Sequence, residues 1–441
     1  MLMYQIYKVL GYFLLPILLL LQWRKGFRNK GYWQHWNERL GFTHFAEQPQ
    51  PAEFNDSTNR GNSNDSFRYD FWIHAVSVGE VRAITPLVKR LLAEQPDRRI
   101  LMTISTPTGR DTVKLLLKDT VDLCYLPYDV GFCINQFLRR AQPKVAIIVE
   151  TEVWPNLIIK AKKYRIPVLY VNVRLSERSF LKYQRFARFS KAIFSRISYM
   201  AIQGPADATR LHQLGVPISK FSITGNIKFD VSMPASLEES ARGLRGLFTQ
   251  SRTVWIAGST REGEEEILLP VYQRLKQEYE DLLLIIVPRH PERFDEVAKL
   301  CKRYKLNIVR RTDTPMQIDA DIDIYLGDTL GELSLMYAAS DIAFVGGSMV
   351  PFGGQNILEP CALGVPVVFG MHMFNFQEIS ELTTAANAGI QVFDQEHLER
   401  ELNVLIQRPN HRDEIGNNGK ALINEHKGAL ERIYQLIKDL D

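Results

Sequence analysis

The stretch VAIIVETEVWP, residues 145–155, places five apolar residues directly before two carboxylates and, a little later, a proline. A run of Val and Ile without polar alternation is typical of a parallel strand that is buried on both faces. Pro155 fits the first turn of a following helix. Open α/β sheets bind ligands outside the carboxyl ends of such strands, so Glu150 and Glu152 are candidate site residues. Capping of the following helix is the alternative role for either carboxylate.

Apolar runs of the same kind alternate with helical patterns along most of the chain. They cover residues 71–76, 100–104, 168–173, 253–257, 282–287, 322–326, 342–345 and 365–369. A polar stretch separates the third of these runs from the fourth, and 441 residues are too many for one hydrophobic core. We therefore predict an α/β protein with two Rossmann-like domains that face a cleft. The predicted parts are an N-terminal domain over 24–230, a linker over 231–252 and a C-terminal domain over 253–441.

Residues 1–23 are nearly all apolar, and Gln5 and Lys8 are the main interruptions. About 20 helical residues rise roughly 30 Å, which is enough to cross the hydrocarbon core of a membrane. The sequence that follows lacks the small-residue cleavage site of a signal peptide, and its basic and aromatic residues are typical of the cytoplasmic side. We predict an uncleaved membrane anchor with the bulk of the protein in the cytoplasm. A helix that lies in one leaflet and a buried core helix are the alternatives.

Composition excludes several classes of protein. The net charge of +4 is too small to indicate nucleic-acid binding. The four cysteines lack CxxC spacing, which argues against a zinc site and for a reducing compartment, and we predict no tightly bound metal. The motifs of P-loop NTPases, dinucleotide-binding dehydrogenases, α/β-hydrolases and zinc proteases are missing from the sequence. Residues 48–66, rich in Pro, Asn, Ser and Asp, predict a flexible insertion.

Three more charged residues follow predicted strands or close the first domain. Glu80, after Gly79, stands where a general base for a hydroxyl acceptor can lie, or where an acid stabilises a helix N-terminus. Lys228, at the domain junction, can neutralise a departing phosphate, and an ion pair with Asp230 is the alternative. Arg289 offers a planar fork for bidentate phosphate contact.

Two glycine-containing segments add the remaining candidates. Residues 346–360, GGSMVPFGGQNILEP, carry two Gly pairs whose bare amides can approach a phosphate closely. Asn356 and Glu359 share a helix face, and Glu359 can grip ribose hydroxyls; a merely flexible loop is the alternative. The amides of residues 327–333, GDTLGEL, can hold an anion or a base edge. A nucleotide bound without a P-loop, between two Rossmann-like halves, indicates a glycosyltransferase that uses an activated sugar.

These motifs give the chain a family likeness. It resembles the 3-deoxy-D-manno-octulosonic acid (Kdo) transferases, which add Kdo to the lipid A precursor of Gram-negative bacteria. The resemblance covers essentially everything after the anchor, and seven blocks occur in the family's order. The blocks are WIHAVSVGE (72–80), ETEVWPN (150–156), TGNIKFD (224–230), AGSTREGEE (257–265), VPRHPERF (287–294), GDTLGEL (327–333) and FVGGSMVPFGGQNILEP (344–360). The insertion at 48–66 and Gln355, where the family often has His, depart from the pattern.

The resemblance implies a GT-B fold and an inverting transfer of Kdo from CMP-Kdo to lipid IVA in lipopolysaccharide biosynthesis. Carried over by motif, Glu80 is the general base, and Glu150 and Lys228 stabilise the transition state. The residues implied to hold CMP are Pro288, Arg289, Leu330, Gly331, Glu332, Asn356, Ile357, Leu358 and Glu359. No cofactor is implied, since CMP-Kdo is the donor substrate.

A lipid acceptor also accounts for an anchor in the inner membrane. Residues 178–196 mix basic and aromatic side chains, a pattern that suits an anionic membrane surface or, alternatively, a solvated face packed by its aromatic stripe. Two other functions are compatible with these sequence features. One is a different nucleotide-sugar enzyme of this architecture, a UDP-sugar transferase or an epimerase, and the other is a membrane-tethered binding protein without activity.

Overall fold

The computed structural model describes residues 2–43, 45, 67–231, 233–234, 236–248, 252–314 and 317–439. Contacts divide the chain into two compact units, Met1–Ile227 with Gly428–Asp441, and Lys228–Lys427. Each unit holds one parallel sheet with an apolar core on either face. The insertion predicted at residues 48–66 lies outside the described residues.

The sheet of the first unit has seven parallel strands within the described residues. They are β1 (Tyr69–His74), β2 (Ile100–Ile104), β3 (Asp122–Tyr125), β4 (Pro143–Val149), β5 (Val168–Val173), β6 (Tyr199–Ile202) and β7 (Phe221–Ile223), in the order β3-β2-β1-β4-β5-β6-β7. The helices up to this point are α1 (Leu2–Gly26), α2 (Trp36–Arg39), α3 (Val78–Glu94), α4 (Pro107–Leu117), α5 (Gly131–Ala141), α6 (Pro155–Lys163), α7 (Glu177–Arg185), α8 (Ala187–Phe194) and α9 (Pro205–Gln213). Short 3-10 helices cover Lys30–Trp33, Ile218–Lys220 and Ile227–Phe229.

The second unit repeats this plan with seven parallel strands among its described residues. They are β8 (Val254–Thr260), β9 (Leu283–Pro288), β10 (Ile308–Arg310), β11 (Ile324–Leu326), β12 (Ile342–Val345), β13 (Val367–Phe369) and β14 (Gly389–Gln391), in the order β10-β11-β9-β8-β12-β13-β14. Its helices are α10 (Leu237–Leu247), α11 (Glu265–Glu278), α12 (Phe294–Arg303), α13 (Leu333–Ala338), α14 (Leu358–Leu363), α15 (Gln377–Ala385), α16 (Gln395–Gln407) and α17 (Pro409–His426). Short 3-10 helices cover Pro291–Arg293 and Arg311–Asp313. The prediction of two wound α/β halves is confirmed.

In both sheets the strand order reverses next to the first strand of the unit. In the first sheet β1 lies between β2 and β4, and His74 pairs with Ile148. In the second sheet β8 lies between β9 and β12, and Gly258 pairs with Val345. Helices leave the two middle strands toward opposite faces at such a point, so a crevice opens at the carboxyl edge where ligands bind. Ligand-binding residues are therefore expected in the segments that follow β1, β4, β8 and β12.

The last helix returns to the first unit. This helix, α18 (Ala429–Lys438), buries Ala429, Ile433, Tyr434 and Ile437 in the core beside α3. We expected the C-terminal domain to extend to residue 441, whereas contacts place Gly428–Asp441 in the first unit. The amphipathic pattern of α18 predicts a helix with a buried stripe, but the pattern is equally suited to either sheet.

The segment expected as a linker contains a helix. Within residues 231–252, α10 buries Leu237, Ala241 and Leu244, which are spaced four and three residues apart on one helix face. The helix packs against α13 in the second unit. Its polar outer face made the stretch resemble a linker in sequence.

The basic segment at residues 178–196 forms two helices rather than one. Helix α7 ends at Arg185 and α8 begins at Ala187. Most of the aromatic stripe faces inward, since Phe180 is buried and Tyr183 packs edge-to-face on Phe194 at 5.3 Å. The side chains of Leu181, Phe186, Lys182, Arg185 and Arg188 are exposed.

One helix among the described residues, Met3–Gly26 within α1, is long and apolar enough to cross a membrane by length and composition, with a mean hydropathy of 1.6. Most of its surface is exposed in the structure. The structure thus contains a candidate for the predicted membrane anchor.

Candidate active site

Glu80 lies in the first turn of α3, immediately after β1. Its carboxylate accepts hydrogen bonds from the Val76 amide at 2.7 Å and the Ser77 hydroxyl at 2.9 Å, while the Glu80 amide donates to Ser77 Oγ at 3.3 Å. This reciprocal arrangement resembles a capping box, except that the carboxylate accepts the amide of the residue before the N-cap Ser77, and it fixes the orientation of both side chains. The helix-stabilising role considered from sequence is therefore present in the structure. These bonds hold the side chain of Glu80 at the edge of the sheet where the strands end, and 7% of the residue is exposed.

The acidity of Glu80 is changed by its surroundings. The pKa of its carboxyl is raised from the ordinary 4.5 to about 7, mainly by burial and also by the charges of Glu150 and Glu152, although the bonds from Val76 and Ser77 act in the opposite direction. A carboxyl with a pKa near 7 can exchange a proton at neutral pH. Such groups are common at catalytic sites.

Glu150 follows β4, the neighbour of β1, and adopts a left-handed backbone with φ +60°. Its amide donates to the Val171 carbonyl at 2.9 Å. In an extended chain, side chains two residues apart point the same way, which the sequence suggests for Glu150 and Glu152. The left-handed backbone of Glu150 shows that the chain is not extended there, so this expectation is wrong. Burial, and then the charge of Glu150, raise the pKa of Glu152, while a hydrogen bond to Trp154 lowers it. The first unit therefore groups three carboxyls, Glu80, Glu150 and Glu152, that influence one another at its topological switch point.

Lys228 is the first residue of the second unit and lies in the short helix Ile227–Phe229. Its ammonium is 6.0 Å from the centre of the Phe376 ring. The amide of the preceding residue, Ile227, donates to the side-chain oxygen of Asn172 at 3.1 Å. Asn172 is buried and left-handed, with φ +57°, and sequence reasoning missed it. The one signal in the sequence that could have found Asn172 is its position as a polar residue near the carboxyl end of an apolar strand.

The residues predicted to bind CMP fall on neighbouring strands of the second sheet. Pro288 ends β9, and the Arg289 amide donates to the Thr260 carbonyl at 3.0 Å. β9 pairs with β11, whose carboxyl end leads into the loop 327–332. In this loop Leu330 is 76% exposed, and Gly331 has a φ of +85°, which a side chain would strain.

Glu332 is engaged within the protein. Its carboxylate accepts bonds from the Arg311 guanidinium at 2.9 and 3.1 Å and from the Thr329 hydroxyl. The Arg311 guanidinium is the main reason that the pKa of Glu332 lies below its usual range. The pair ties the loop to the segment after β10, so Glu332 can shape the loop that presents Leu330 and Gly331.

The predicted pair Asn356 and Glu359 do contact each other. Asn356 Nδ2 donates to Glu359 Oε1 at 3.1 Å, and Ser334 Oγ donates to Glu359 Oε2 at 3.2 Å. Because Ser334 lies in α13, directly after Glu332, the contact brings α14 next to the loop 327–332. Ile357 and Leu358 are fully buried, so their side chains belong to the core and their backbone alone is available to a ligand.

The glycine-rich loop after β12 differs from our expectation that its amides cradle a phosphate. The carboxylate of Glu264, which is fully buried, accepts the amides of Gly347 at 2.6 Å, Ser348 at 2.9 Å and Met349 at 3.0 Å. It also accepts the Arg261 amide at 2.9 Å. An internal carboxylate thus occupies the anion position that three successive amides create. These three amides are therefore bonded to a side chain of the protein itself, which holds the loop in its shape.

Sequence reasoning missed Glu264 because it stands in the acidic run Glu262–Glu266, which looks like a solvated face. Its neighbour Glu265 is also buried, and it pairs with Arg293 at 2.8 and 2.9 Å. Within the described residues, no group of three or more His, Cys, Asp or Glu side chains is arranged to hold a metal ion.

Comparison with known proteins places this geometry in a family. Residues 34–231 match the family model described as 3-deoxy-D-manno-octulosonic-acid transferase (kdotransferase). A 3-deoxy-D-manno-octulosonic acid transferase of Haemophilus influenzae is 41% identical over 408 residues, which cover 92% of this chain and 91% of that protein. The enzyme of the same name from Bordetella pertussis is 32% identical over 434 residues, which cover 97% and 96%. The chain belongs to the Kdo transferase family.

Solved structures support the fold of this Kdo transferase family member. The UDP-GlcNAc 2-epimerase of Neisseria meningitidis aligns with 84% of this chain and 99% of its own, at a TM-score of 0.55 and 13% identity. At that identity the likeness concerns the fold alone. Together with the two parallel sheets it confirms the predicted GT-B architecture.

We predict that Glu264→Gln loosens the glycine-rich loop. The new side chain has one acceptor oxygen and one donor group where the carboxylate had two acceptors, so at least one of the amides of residues 347–349 loses its partner. A buried group without its partner costs about 1–3 kcal/mol, and the free energy of unfolding should fall by about that amount. Hydrogen exchange at residues 347–349 should accelerate. Glu266→Gln, an exposed position on the same helix, is the control, and unchanged exchange in Glu264→Gln would contradict the prediction.

We also predict a pH-dependent contribution of Glu80 to stability. Because its pKa is raised in the folded state, the folded protein binds a proton more tightly than the unfolded chain between about pH 4.5 and 7. Stability relative to Glu80→Gln should therefore fall as the pH rises through this window. Urea unfolding at pH 5 and pH 8 measures the difference. The control Glu177→Gln alters an exposed acid in the first turn of α7. If the unfolding free energy of each variant relative to wild type were the same at pH 5 and pH 8, the pKa of Glu80 would be ordinary.

Proposed function

We propose that this chain transfers Kdo from CMP-Kdo to a hydroxyl of lipid IVA with inversion at the anomeric carbon, and that Glu80 is the general base. The observation that carries the proposal is Glu80 itself. It is a carboxyl fixed at the switch point of the first sheet, with its pKa raised to about 7, in a member of the Kdo transferase family. A base with a pKa near the working pH combines a large deprotonated fraction with useful proton affinity.

In the proposed reaction the acceptor hydroxyl oxygen bonds to the anomeric carbon while the bond from that carbon to the CMP phosphate breaks. The hydroxyl proton passes to Glu80, and the electron pair of the broken bond leaves with CMP. Positive charge that develops on the sugar is stabilised by the carboxylate of Glu150, and negative charge on the departing phosphate by Lys228.

CMP is proposed to bind at the carboxyl edge of the second sheet. Arg289 offers its guanidinium to the phosphate, next to Pro288, and the loop 330–332 offers the exposed side chain of Leu330. The segment 356–359 contributes the carboxylate of Glu359, which can accept ribose hydroxyls. Because the amides of residues 347–349 are occupied by Glu264, the phosphate depends on side-chain cations.

The acceptor and the location are part of the same proposal. We place the protein at the inner membrane with its two units on the cytoplasmic side, where α1 and the exposed basic residues of α7 meet lipid. The support is physical: α1 exposes a long apolar surface, and the side chains of Lys182 and Arg185 are free of the core.

The first experiment incubates lipid IVA and CMP-Kdo with the purified full-length protein and analyses the lipid by mass spectrometry. We expect one or more Kdo additions with CMP-Kdo and none with UDP-GlcNAc. Glu80→Gln should lower turnover about 100-fold or more, while titration with CMP gives a wild-type affinity. Glu94→Gln, at the other end of the same helix, is the matched control. Near-normal turnover in Glu80→Gln would reject the base, and sugar transfer only from UDP-GlcNAc would reject the donor.

The second experiment tests the membrane surface of α7. Reversing the charge of Lys182 and Arg185 together should weaken binding to anionic vesicles about tenfold or more, since each basic residue near such a surface contributes about 1 kcal/mol. Flotation with vesicles that contain phosphatidylglycerol measures the binding. The same double change at Lys299 and Lys302, exposed on α12 in the second unit, is the control, and equal partition of both variants would reject this role for α7.

A further inference from the structure

Helix α1 is attached lengthwise to the first unit along a single stripe. The residues that are half-buried or buried recur every three or four positions from the first turn to the last. They are Tyr4, Tyr7, Gly11, Leu15, Leu19, Gln22 and Gly26. The opposite surface is apolar and exposed. It includes Ile6, Val9, Leu10, Phe13, Ile17, Leu20 and Leu21, with Phe13 74% exposed.

The first turns of α1 are fixed by hydrogen bonds to the protein. Tyr7 donates its hydroxyl to Asp129 Oδ2 at 2.7 Å, and Tyr4 donates to Asn156 Oδ1 at 3.0 Å. Asp129 in turn accepts the amides of Asn156 at 3.0 Å and Leu157 at 2.9 Å, at the start of α6. The Tyr7 hydroxyl therefore joins α1 to the carboxylate that caps α6, and the Tyr4 hydroxyl joins α1 to Asn156 in the first turn of α6. We call Tyr4, Tyr7 and Asp129 the tyrosine latch.

The last turns of α1 are fixed as well. Gln22 Nε2 donates to the Tyr32 carbonyl at 3.3 Å, and Trp33 Nε1 donates to the Trp23 carbonyl at 2.9 Å. Gly31, beside them, lies against Pro107 at the start of α4. A helix of 25 residues is about 37 Å long. Both ends of α1 therefore contact the first unit, although they lie that far apart.

The surface under α1 is the carboxyl edge of the first sheet. Pro107 follows β2, Asp129 follows β3 and Asn156 follows β4, and all these strands are parallel. Their carboxyl ends therefore share one edge, and α1 lies across the segments that leave it. Glu80 and Glu150 follow β1 and β4 at this same edge.

We propose that α1 is an in-plane membrane helix, which lies within one leaflet along the carboxyl edge of the first sheet instead of crossing the bilayer. A helix that crossed would either carry Asp129 and the neighbouring Lys160 to membrane depth or break the tyrosine latch. A charged side chain at the bilayer centre strongly disfavours insertion. In the plane of the leaflet, the exposed apolar face enters the acyl region while the latched stripe stays with the protein, as in other interfacial helices.

The charges around α1 suit an anionic leaflet. Lys8 on α1 and Lys163 on α6 both lower the pKa of Lys160, after the larger effect of burial, so three cations lie close together beside the helix. Tyr7 also contacts Phe189 of α8 at 6.2 Å between ring centres, which links α1 to the basic surface of α7 and α8. The occupant of this face is therefore a leaflet with anionic headgroups.

The topology is tested by cysteine labelling, because the four native cysteines are all buried. Gln5→Cys and Lys25→Cys place thiols at exposed positions near the two ends of α1, and Leu115→Cys, on α4, reports the side of the first unit. A membrane-impermeant maleimide is added to spheroplasts and to inside-out vesicles. We expect all three thiols to react in inside-out vesicles and none in spheroplasts. Reaction of Gln5→Cys in spheroplasts would overturn the proposal, because it would place the two ends of α1 on opposite sides.

The apolar face and the latch are tested with purified protein. Phe13→Glu with Leu20→Glu should lower binding to phosphatidylglycerol vesicles at least about tenfold, since each substitution replaces an apolar side chain that would enter the acyl region with a charge. Phe393→Glu, exposed in the second unit, is the control. Wild-type protein that fails to bind vesicles would instead indicate a protein partner for this face and overturn the proposal.

Tyr4→Phe with Tyr7→Phe removes the latch hydroxyls and keeps the rings. This test rests on the proposed lipid acceptor. We expect kcat/KM for lipid IVA to fall about tenfold, as for lost bonds to a charged group, with CMP affinity unchanged. Tyr12→Phe, an exposed ring on α1, is the control. An unchanged kcat/KM in the double variant would reject the role of the latch. If the enzyme transfers Kdo but Gln5→Cys reacts in spheroplasts, the proposed function stands and the in-plane helix is rejected.

Discussion

The pairing of β1 with β4, and of β8 with β12, is the constraint on which the rest of the structure depends. The two strands of each pair are parallel, and the chain adds further strands on opposite sides of them. The helices that follow must then cover opposite faces, which leaves a crevice between their first turns. Glu80 and Glu150 stand at one such crevice, and the glycine-rich loop with Arg261 stands at the other. The positions of chemically active groups thus follow from strand order before any ligand is considered.

Two buried carboxylates, Glu80 and Glu264, show how the same side chain serves different ends. Both have raised pKa values because burial disfavours the charged form. Glu264 accepts four backbone amides, so its charge is used to hold a loop in one shape. Glu80 accepts two bonds and faces the like charges of Glu150 and Glu152. The carboxyl of Glu80, with a pKa of about 7, can therefore gain or lose a proton near neutral pH. A general base needs this property, whereas an anion that only holds a loop does not.

Sequence patterns predicted the centre of each sheet better than its edges. The runs that we assigned as strands became β1, β2, β4 and β5, and β8, β9, β11, β12 and β13, which are mostly buried on both faces and therefore rich in apolar residues. The strands without such runs are β3, β6, β7, β10 and β14. All of them lie toward the ends of the strand orders and are three or four residues long. The strands β3, β7, β10 and β14 lie at the sheet edges and are only partly buried, so they carry few apolar residues that would distinguish them from a loop.

Sequence patterns predicted the position of a candidate residue at the carboxyl edge where it closely follows a strand, as Glu80, Glu150 and Arg289 do. Prediction failed where the decisive partner is distant in sequence. Glu264 meets residues 347–349 across more than 80 positions, and no local pattern distinguishes it from the exposed acids beside it. The left-handed Glu150 was also beyond local patterns, because the backbone of a strand end is set by the neighbouring strand through its bond to Val171.

The position of α1 connects the fold to the physical state of the proposed acceptor. Moving a lipid out of a membrane costs about 0.8 kcal/mol for each methylene exposed to water, so an acceptor with long acyl chains reacts most cheaply while its chains stay in the leaflet. The base must then come to the headgroup. A helix that lies along the carboxyl edge places the leaflet beside the turns that carry Glu80 and Glu150, whereas a crossing helix on a flexible tether fixes no such distance. On this argument the tyrosines of α1 set where the chemistry occurs, although they lie outside every block that carries the family resemblance.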